Sequence, residues 1–229
     1  MSSLTPYYQD EHTTLYWGDC RKILPHLQTD LAIISDPPYG MGARFDRAGI
    51  RKKVTLDQPV YHSRDWGKIE GDDEPFEPAH LLGYPYIALF GANHYADRLP
   101  ASSKWLSWDK RCQTPADDNS DFELIWTNQK GACRTHYQKW RGIVREGEEN
   151  LSRAWKFHPA QKPVSLMRWV IGQLAVPSQF VICDPYMGSG STLVAAKQLG
   201  YAVVGIEKLE SHCKNAVERL RQGGLPLTG

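Results

Sequence analysis

The tetrapeptide Asp36-Pro37-Pro38-Tyr39, followed by Gly40, constrains this chain more than any other stretch. It comes directly after the apolar run Leu31-Ala32-Ile33-Ile34-Ser35, which predicts a buried parallel strand ended by a breaker. Pro37 and Pro38 fix consecutive φ angles and remove backbone donors, so the strand stops there. The carbonyls of Asp36 and Pro37 then lose their ladder partners. A rigid row of acceptors is expected at a strand's C-terminal end, with a carboxylate on one side and an aromatic ring beside it. Such a row suits a planar group that carries an exocyclic amine: the amine donates to the acceptors while its ring lies on Tyr39. A proline-rich turn closing a core strand is the plainer reading of the same residues.

At 229 residues, one α/β domain with a full core, spanning 1–229, is the expectation. The 41% hydrophobic and 23% charged fractions are those of a soluble globular protein. No apolar stretch approaches a membrane span, and Met1-Ser2-Ser3-Leu4-Thr5-Pro6 has no basic region followed by an apolar one. Neither a membrane partner nor a signal peptide is therefore expected. The 5 cysteines form no CxxC pair, which points away from a disulfide framework or a metal site and towards a reducing, cytoplasmic setting. The net charge of +1 leaves any nucleic-acid surface to local patches.

Thr13 to Trp17 reads as a short strand, ended by Gly18-Asp19, with one or two helical turns over Arg21 to Leu27. Asp19 serves equally as a helix N-cap or as a ligand, and the roles are compatible. From Met41 to about Pro78 the chain is polar and irregular, long for a loop in a compact domain. Its first half carries Arg44, Arg47, Arg51, Lys52 and Lys53, and reads as a solvated loop or as a basic flap gripping phosphates. Strands are expected at Tyr86 to Phe90 and Lys104 to Trp108, and a possible edge strand at Phe122 to Trp126. Residues 130–145 carry Arg134, Lys139 and Arg141 with Tyr137, His136 and Trp140 between them. That mixture suits phosphate contacts with base stacking, or a solvated basic face.

His158-Pro159-Ala160-Gln161-Lys162-Pro163 opens a helix, with Pro163 at its first position and Leu166, Met167, Val170, Ile171 and Leu174 as its apolar face. A buried strand, Phe180 to Cys183, then runs into Asp184-Pro185-Tyr186-Met187-Gly188-Ser189-Gly190-Ser191-Thr192 and a helix over Leu193 to Leu199. Gly188 and Gly190 let backbone approach a ligand closely, so the strand, turn and helix make a nucleotide-type cradle, or a glycine turn without a ligand. The strand Ala202 to Ile206 leads to Glu207, at the position where an acidic residue commonly holds a ribose diol. No GxxxxGK[ST] is present, so phosphoryl transfer is unsupported. No Pro-Cys dipeptide supplies a thiolate nucleophile, which disfavours covalent cytosine chemistry.

These motifs, DPPYG at 36–40, HPAQKP at 158–163 and DPYMGSGST at 184–192, resemble the signatures of the amino-group DNA methyltransferases. Their order, catalytic motif first and cofactor motif last, is similar to the circularly permuted beta group. Ala160 stands where that family usually has Thr, and Tyr186 where it usually has Phe. The resemblance implies a Rossmann-like, S-adenosylmethionine-dependent methyltransferase fold: an α/β structure with a mostly parallel seven-stranded sheet and helices on both faces. It implies that Asp19 and the Cys20 backbone hold the cofactor adenine and that Glu207 holds the ribose. The loop Asp184, Tyr186, Gly188, Ser189, Gly190, with His158, Lys162 and Pro163, would enclose the methionine part. A short target-recognition region is implied at about 111–157.

The partner implied is double-stranded DNA; a homodimer and a restriction endonuclease partner stay open. Asp36, Pro37, Pro38 and Tyr39 are the expected catalytic set, acting on adenine N6, with cytosine N4 as the alternative. Competing readings are an NAD-binding Rossmann oxidoreductase, which leaves the DPPY array unexplained, and a non-catalytic DNA-binding module. RNA or protein glutamine is also an open acceptor for the same chemistry.

Overall fold

The computed structural model describes residues 4–27, 30–41, 71–112, 120–141, 144–146 and 161–222. Arg44, Arg47, Arg51, Lys52, Lys53 and His158 lie outside them, as do most of the expected flap and part of the expected target-recognition region.

The strands are β1 (Tyr8–Gln9), β2 (Thr13–Trp17), β3 (Leu31–Ser35), β4 (Tyr86–Phe90), β5 (Trp105–Asp109), β6 (Phe122–Thr127), β7 (Arg134–Tyr137), β8 (Trp140–Arg141), β9 (Val144–Arg145), β10 (Val181–Asp184) and β11 (Val203–Glu207). The α-helices are α1 (Cys20–Ile23), α2 (Val164–Leu174), α3 (Ser191–Gln198) and α4 (Glu210–Gln222). Among the described residues one 9-stranded sheet runs in the order β1-β2-β11-β10-β3-β4-β6-β5-β7, and β8 pairs with β9 apart from it.

The sheet has nine strands where seven were expected. The additional members lie at its two margins. β1 is a two-residue pairing back onto β2, too short to show a period. β7 is polar and exposed along most of its length, and carries no apolar alternation to reveal it. The central strands β2, β11, β10, β3 and β4 are all parallel. β6 returns antiparallel between β4 and β5. The strand expected at the edge is therefore an interior one. Its exposed start at Phe122 and charged Glu123 disguise a buried second half, Ile125 to Thr127.

Both sheet faces are covered, and side-chain alternation sorts each strand between them. Ala32 and Ile34 of β3 and Ala88 and Phe90 of β4 pack with α2, α3 and α4 on one face. Leu31 and Ile33, with Ile87 and Leu89, pack on the other with α1 and the short 3₁₀ turns. In α2 the expected apolar face, Leu166, Met167, Val170, Ile171 and Leu174, is buried. Pro163 is the N-cap of that helix, one residue earlier than expected, with φ −61° and ψ 138°. Its carbonyl accepts the first helical bond, from Met167 N, so its ring never enters the helix.

Candidate active site

Strand register collects the sequence motifs along one edge. At the β2–β11 pair Trp17 faces Glu207, at β10–β11 Asp184 faces Gly205, and at β3–β4 Ser35 faces Leu89. Gly18-Asp19, Asp36 to Tyr39, Asp184 to Gly190 and Glu207 therefore leave neighbouring strands at the same ends. In doubly wound sheets this edge is where ligands bind.

Asp36 stands at the centre of a half-buried charge cluster. Its Oδ2 accepts from Lys162 Nζ at 2.6 Å and its Oδ1 from the Tyr39 hydroxyl at 2.5 Å. Lys162 Nζ also lies 2.9 Å from Glu123 Oε1, and the Tyr39 hydroxyl 3.0 Å from the same oxygen. Lys110 Nζ reaches the other Glu123 oxygen at 3.3 Å. Burial, with the Glu123 charge beside it, raises the Asp36 carboxyl above the ordinary carboxylate range in spite of Lys162 and Tyr39. Burial acts the same way on Glu123, but Lys162 and Lys110 outweigh it and hold that carboxyl low. For Lys162 burial opposes the charge, and the two carboxylates overcome it and raise the ammonium.

The Asp36–Gly40 turn is held from behind by Asp72, only 3% exposed. Its Oδ1 accepts from the backbone N–H of Tyr39 at 3.0 Å, Gly40 at 2.8 Å and Met41 at 3.2 Å. The Tyr39 ring stacks on His94, with centroids 5.1 Å apart and planes 13° from parallel. It also lies against Gly91, where φ is +63° and a Cβ would come within 2.1 Å of the ring. Only glycine fits that position.

The second half of the site is the glycine turn after β10. A cavity there is lined by Asp36, Lys162, Asp184, Tyr186, Gly188 and Ser189, among others. Lys162 and Asp36 thus border the cavity and the acceptor cluster together. A Cβ on Gly188 would meet nothing within 4 Å, so the backbone there faces open space. Its N–H donates to Glu207 Oε2 at 3.0 Å, and Leu209 N donates to Oε1 at 2.8 Å. Burial favours a neutral Glu207, but His212 and these amides outweigh it and hold the carboxyl low. A carboxylate has about four lone-pair positions, so acceptor capacity remains for a diol.

Asp184 turns inward. It accepts from the Ser35 and Thr192 hydroxyls, each at 2.5 Å, and from Tyr186 N at 3.1 Å. Burial raises its carboxyl to about 6. It ties the ends of β3, β10 and α3 together. Asp19 caps α1 through Arg21 N at 3.0 Å, and the Arg21 side chain lowers its carboxyl. Cys20 is buried beside it, and the Tyr186 hydroxyl lies 3.0 Å from His80 Nε2. Arg219 of α4 lies beneath the turn, with Nη1 donating to the Ser189 carbonyl at 2.7 Å and to the Ser189 and Ser191 hydroxyls at 2.9 and 3.1 Å.

Glu123, Asp72, His80, His94 and Arg219 were not singled out from the sequence. None carries a local signal, since each meets the site only through chain distant from it. The basic segment is only partly gathered. Lys139 follows the end of β7 nearest the site, where Tyr137 pairs with Asp109. Arg134 starts that strand, opposite Leu106, roughly 10 Å further away at about 3.3 Å per residue. Arg141 lies in β8, which among the described residues pairs with β9 and is tied to the end of β5 by Trp140 N donating to the Lys110 carbonyl at 3.1 Å.

A doubly wound sheet, with a glycine turn and a carboxylate at successive strand ends and an acceptor cluster beside them, defines a nucleotide-type binding fold equipped to act on an amine. The chain belongs to the N6/N4 DNA methyltransferases: the family described as DNA methylase matches residues 84–218, more than half its length. The type II methyltransferase M.ScaI of Streptomyces caespitosus is 40% identical over 263 residues, covering 94% of this chain and 83% of that protein. Among solved structures, the M1.HpyAVI–SAM complex covers 91% of this chain and 100% of its own, at TM-score 0.51 and 22% identity. The PvuII cytosine-N4-specific DNA methyltransferase covers 95% and 93%, at TM-score 0.57 and 11% identity. At those identities the two structures speak for the fold.

Proposed function

We propose that this protein moves a methyl group from S-adenosylmethionine to the exocyclic N6 of a flipped adenine in double-stranded DNA. The observation that carries the reading is the juxtaposition of the Asp36 cluster with the glycine-turn cavity, whose wall Asp36 and Lys162 share. The M1.HpyAVI structure, a complex with SAM on the same fold, supports the choice of cofactor. The donor set fits that molecule. Glu207 retains acceptor capacity for the ribose hydroxyls, Asp19 and the Cys20 backbone serve the adenine, and Gly188 opens backbone to the methionine part. When bound, the cofactor supplies an electrophilic methyl group on a sulfonium.

The residues of the chain do the rest. An aromatic amine is a poor nucleophile because its lone pair is delocalised into the ring. Asp36 and the Pro37 carbonyl accept its N–H groups, favour the pyramidal form and stabilise the positive charge developing on nitrogen. Pro37 and Pro38 hold those acceptors rigid, and Tyr39 offers its ring to the base. Flipping the base costs a few kcal/mol, and holding it in line with the methyl group contributes much of the acceleration. Arg134, Lys139 and Arg141, with the basic residues 44–53, are the proposed phosphate contacts. In the family that the motifs resemble, Asp at the first motif position usually accompanies adenine and Ser usually accompanies cytosine, and that tendency favours adenine here; acceptor strength serves either amine. The PvuII enzyme acts on cytosine N4 with the same fold, so the fold does not discriminate.

The test is reaction of mixed DNA with labelled S-adenosylmethionine, nucleoside digestion and mass spectrometry. N6-methyladenine is expected, and Asp36→Ala should abolish it while leaving cofactor affinity within a few-fold. Label only in N4-methylcytosine, or only with RNA as substrate, overturns the assignment.

A further inference from the structure

Asp36 faces a conflict that its own motif does not resolve. It must take the amine's N–H and then its proton, yet Lys162 and the Tyr39 hydroxyl already hold one oxygen each, and both donors lower its basicity. Both of those donors also reach Glu123 Oε1, at 2.9 and 3.0 Å. The side chain of Glu123 is 12% exposed and belongs to β6, far from every motif in sequence.

We propose that Glu123 is a positioning residue of the acceptor site, an alternative acceptor that takes the Tyr39 hydroxyl proton and the Lys162 ammonium off Asp36 when the target amine arrives. The inference rests on amine methylation as the reaction. The exchange needs little movement. A phenol O–H swings from one acceptor to another by rotation about its C–O bond, and an ammonium carries three donors on one rotor. The Tyr39 ring can therefore stay against Gly91 while its proton turns from Asp36 to Glu123.

The charges support this role. Two carboxylates, Asp36 and Glu123, face two ammonium groups, Lys162 and Lys110, so the cluster is neutral with both acids ionised. Without Glu123, Lys162 would pair with Asp36 alone, a close half-buried ion pair that keeps its basicity low. With Glu123 present the ammonium is shared. The transfer then balances: the amine lone pair forms the N–C bond, the C–S bonding pair stays on sulfur, and the nitrogen's surplus proton passes to the freed Asp36 oxygen.

The experiment compares wild type, Glu123→Gln, Tyr39→Phe and the double variant in single-turnover methyl transfer across pH, with cofactor affinity measured alongside. Glu123→Gln keeps the shape of the side chain and removes its charge. It should slow transfer on the order of 10–100-fold, short of the 10²–10⁴ attributed to a general acid or base itself. S-adenosylmethionine affinity should stay within threefold.

The groups facing Asp36 are Tyr39, Tyr95, Glu123, Lys162 and Asp184, with Lys110 behind Glu123. Removing the Glu123 charge lowers the Asp36 carboxyl, so the acid limb of the profile should move to lower pH. In the Tyr39→Phe background one competing donor is already gone, and the Glu123→Gln penalty should shrink. A Glu123→Gln rate within twofold of wild type, or an equal penalty in both backgrounds with an unmoved acid limb, overturns the proposal alone. A wild-type protein that methylates no base amine overturns it together with the proposed function.

Discussion

Asp72 makes the most exacting test of how the acceptor turn is held. One of its oxygens receives three backbone N–H groups in succession, from Tyr39, Gly40 and Met41, and the residue is nearly sealed from water. Hydrogen bonds to a charged group contribute about 1.5–3 kcal/mol each. Three sharing one oxygen do not add fully, so Asp72→Ala should cost the closed turn about 3–5 kcal/mol. The turn can open and hydrate instead of unfolding the sheet, so the loss should appear locally. Amide exchange at Tyr39 to Met41 should accelerate at least roughly 100-fold, since 1.36 kcal/mol is a factor of ten, while the β3 amides stay protected. Transfer should fall with it, because Tyr39 and Asp36 lose their relative geometry, and a misplacement of about 1 Å can cost on the order of 10²-fold. Asp72→Asn, which keeps an acceptor oxygen, should lie between. Unchanged exchange at Tyr39 to Met41 with near wild-type transfer would refute the reasoning.

Gly91→Ala pairs a left-handed backbone, unfavourable for alanine by about 1–2 kcal/mol, with a Cβ that displaces the Tyr39 ring. Steady-state assays should show transfer lost while cofactor still binds, and a wild-type rate would mean that the ring's seat is irrelevant. Glu207→Ala should weaken S-adenosylmethionine binding by roughly 1–3 kcal/mol, read by calorimetry; affinity equal to wild type would remove Glu207 from the ribose site. Asp184, raised from 3.8 to about 6, contributes stability that is fully present below pH 3.8 and lost as pH rises through about 6. The stability difference between wild type and the permanently neutral Asp184→Asn should therefore shrink by up to about 3 kcal/mol over that window. Parallel denaturation curves across it would contradict that burial.

Much of the frame was legible in the chain because it rests on local periodicity. The runs at Thr13 to Trp17, Leu31 to Ser35 and Tyr86 to Phe90 became strands at the expected residues, and α2 buried the five side chains its spacing implied. A parallel sheet puts all strand C-termini on one edge, so the convergence of Asp19, Asp36, Asp184 and Glu207 followed from where each stood after its strand. The motifs carried the family for the same reason, being contiguous. The margins of the sheet and the interior place of β6 were not legible, since pairing order depends on what closes around a strand and not on its own residues. The inside of the acceptor site was hidden more deeply. Asp72 lies 33 residues from Tyr39, Glu123 84 residues from it, and Lys162 126 residues from Asp36. A carboxylate acquires a partner, and a shifted proton affinity with it, only when distant chain excludes water around both groups. That exclusion is a property of the packed tertiary structure, and no local run of sequence contains it.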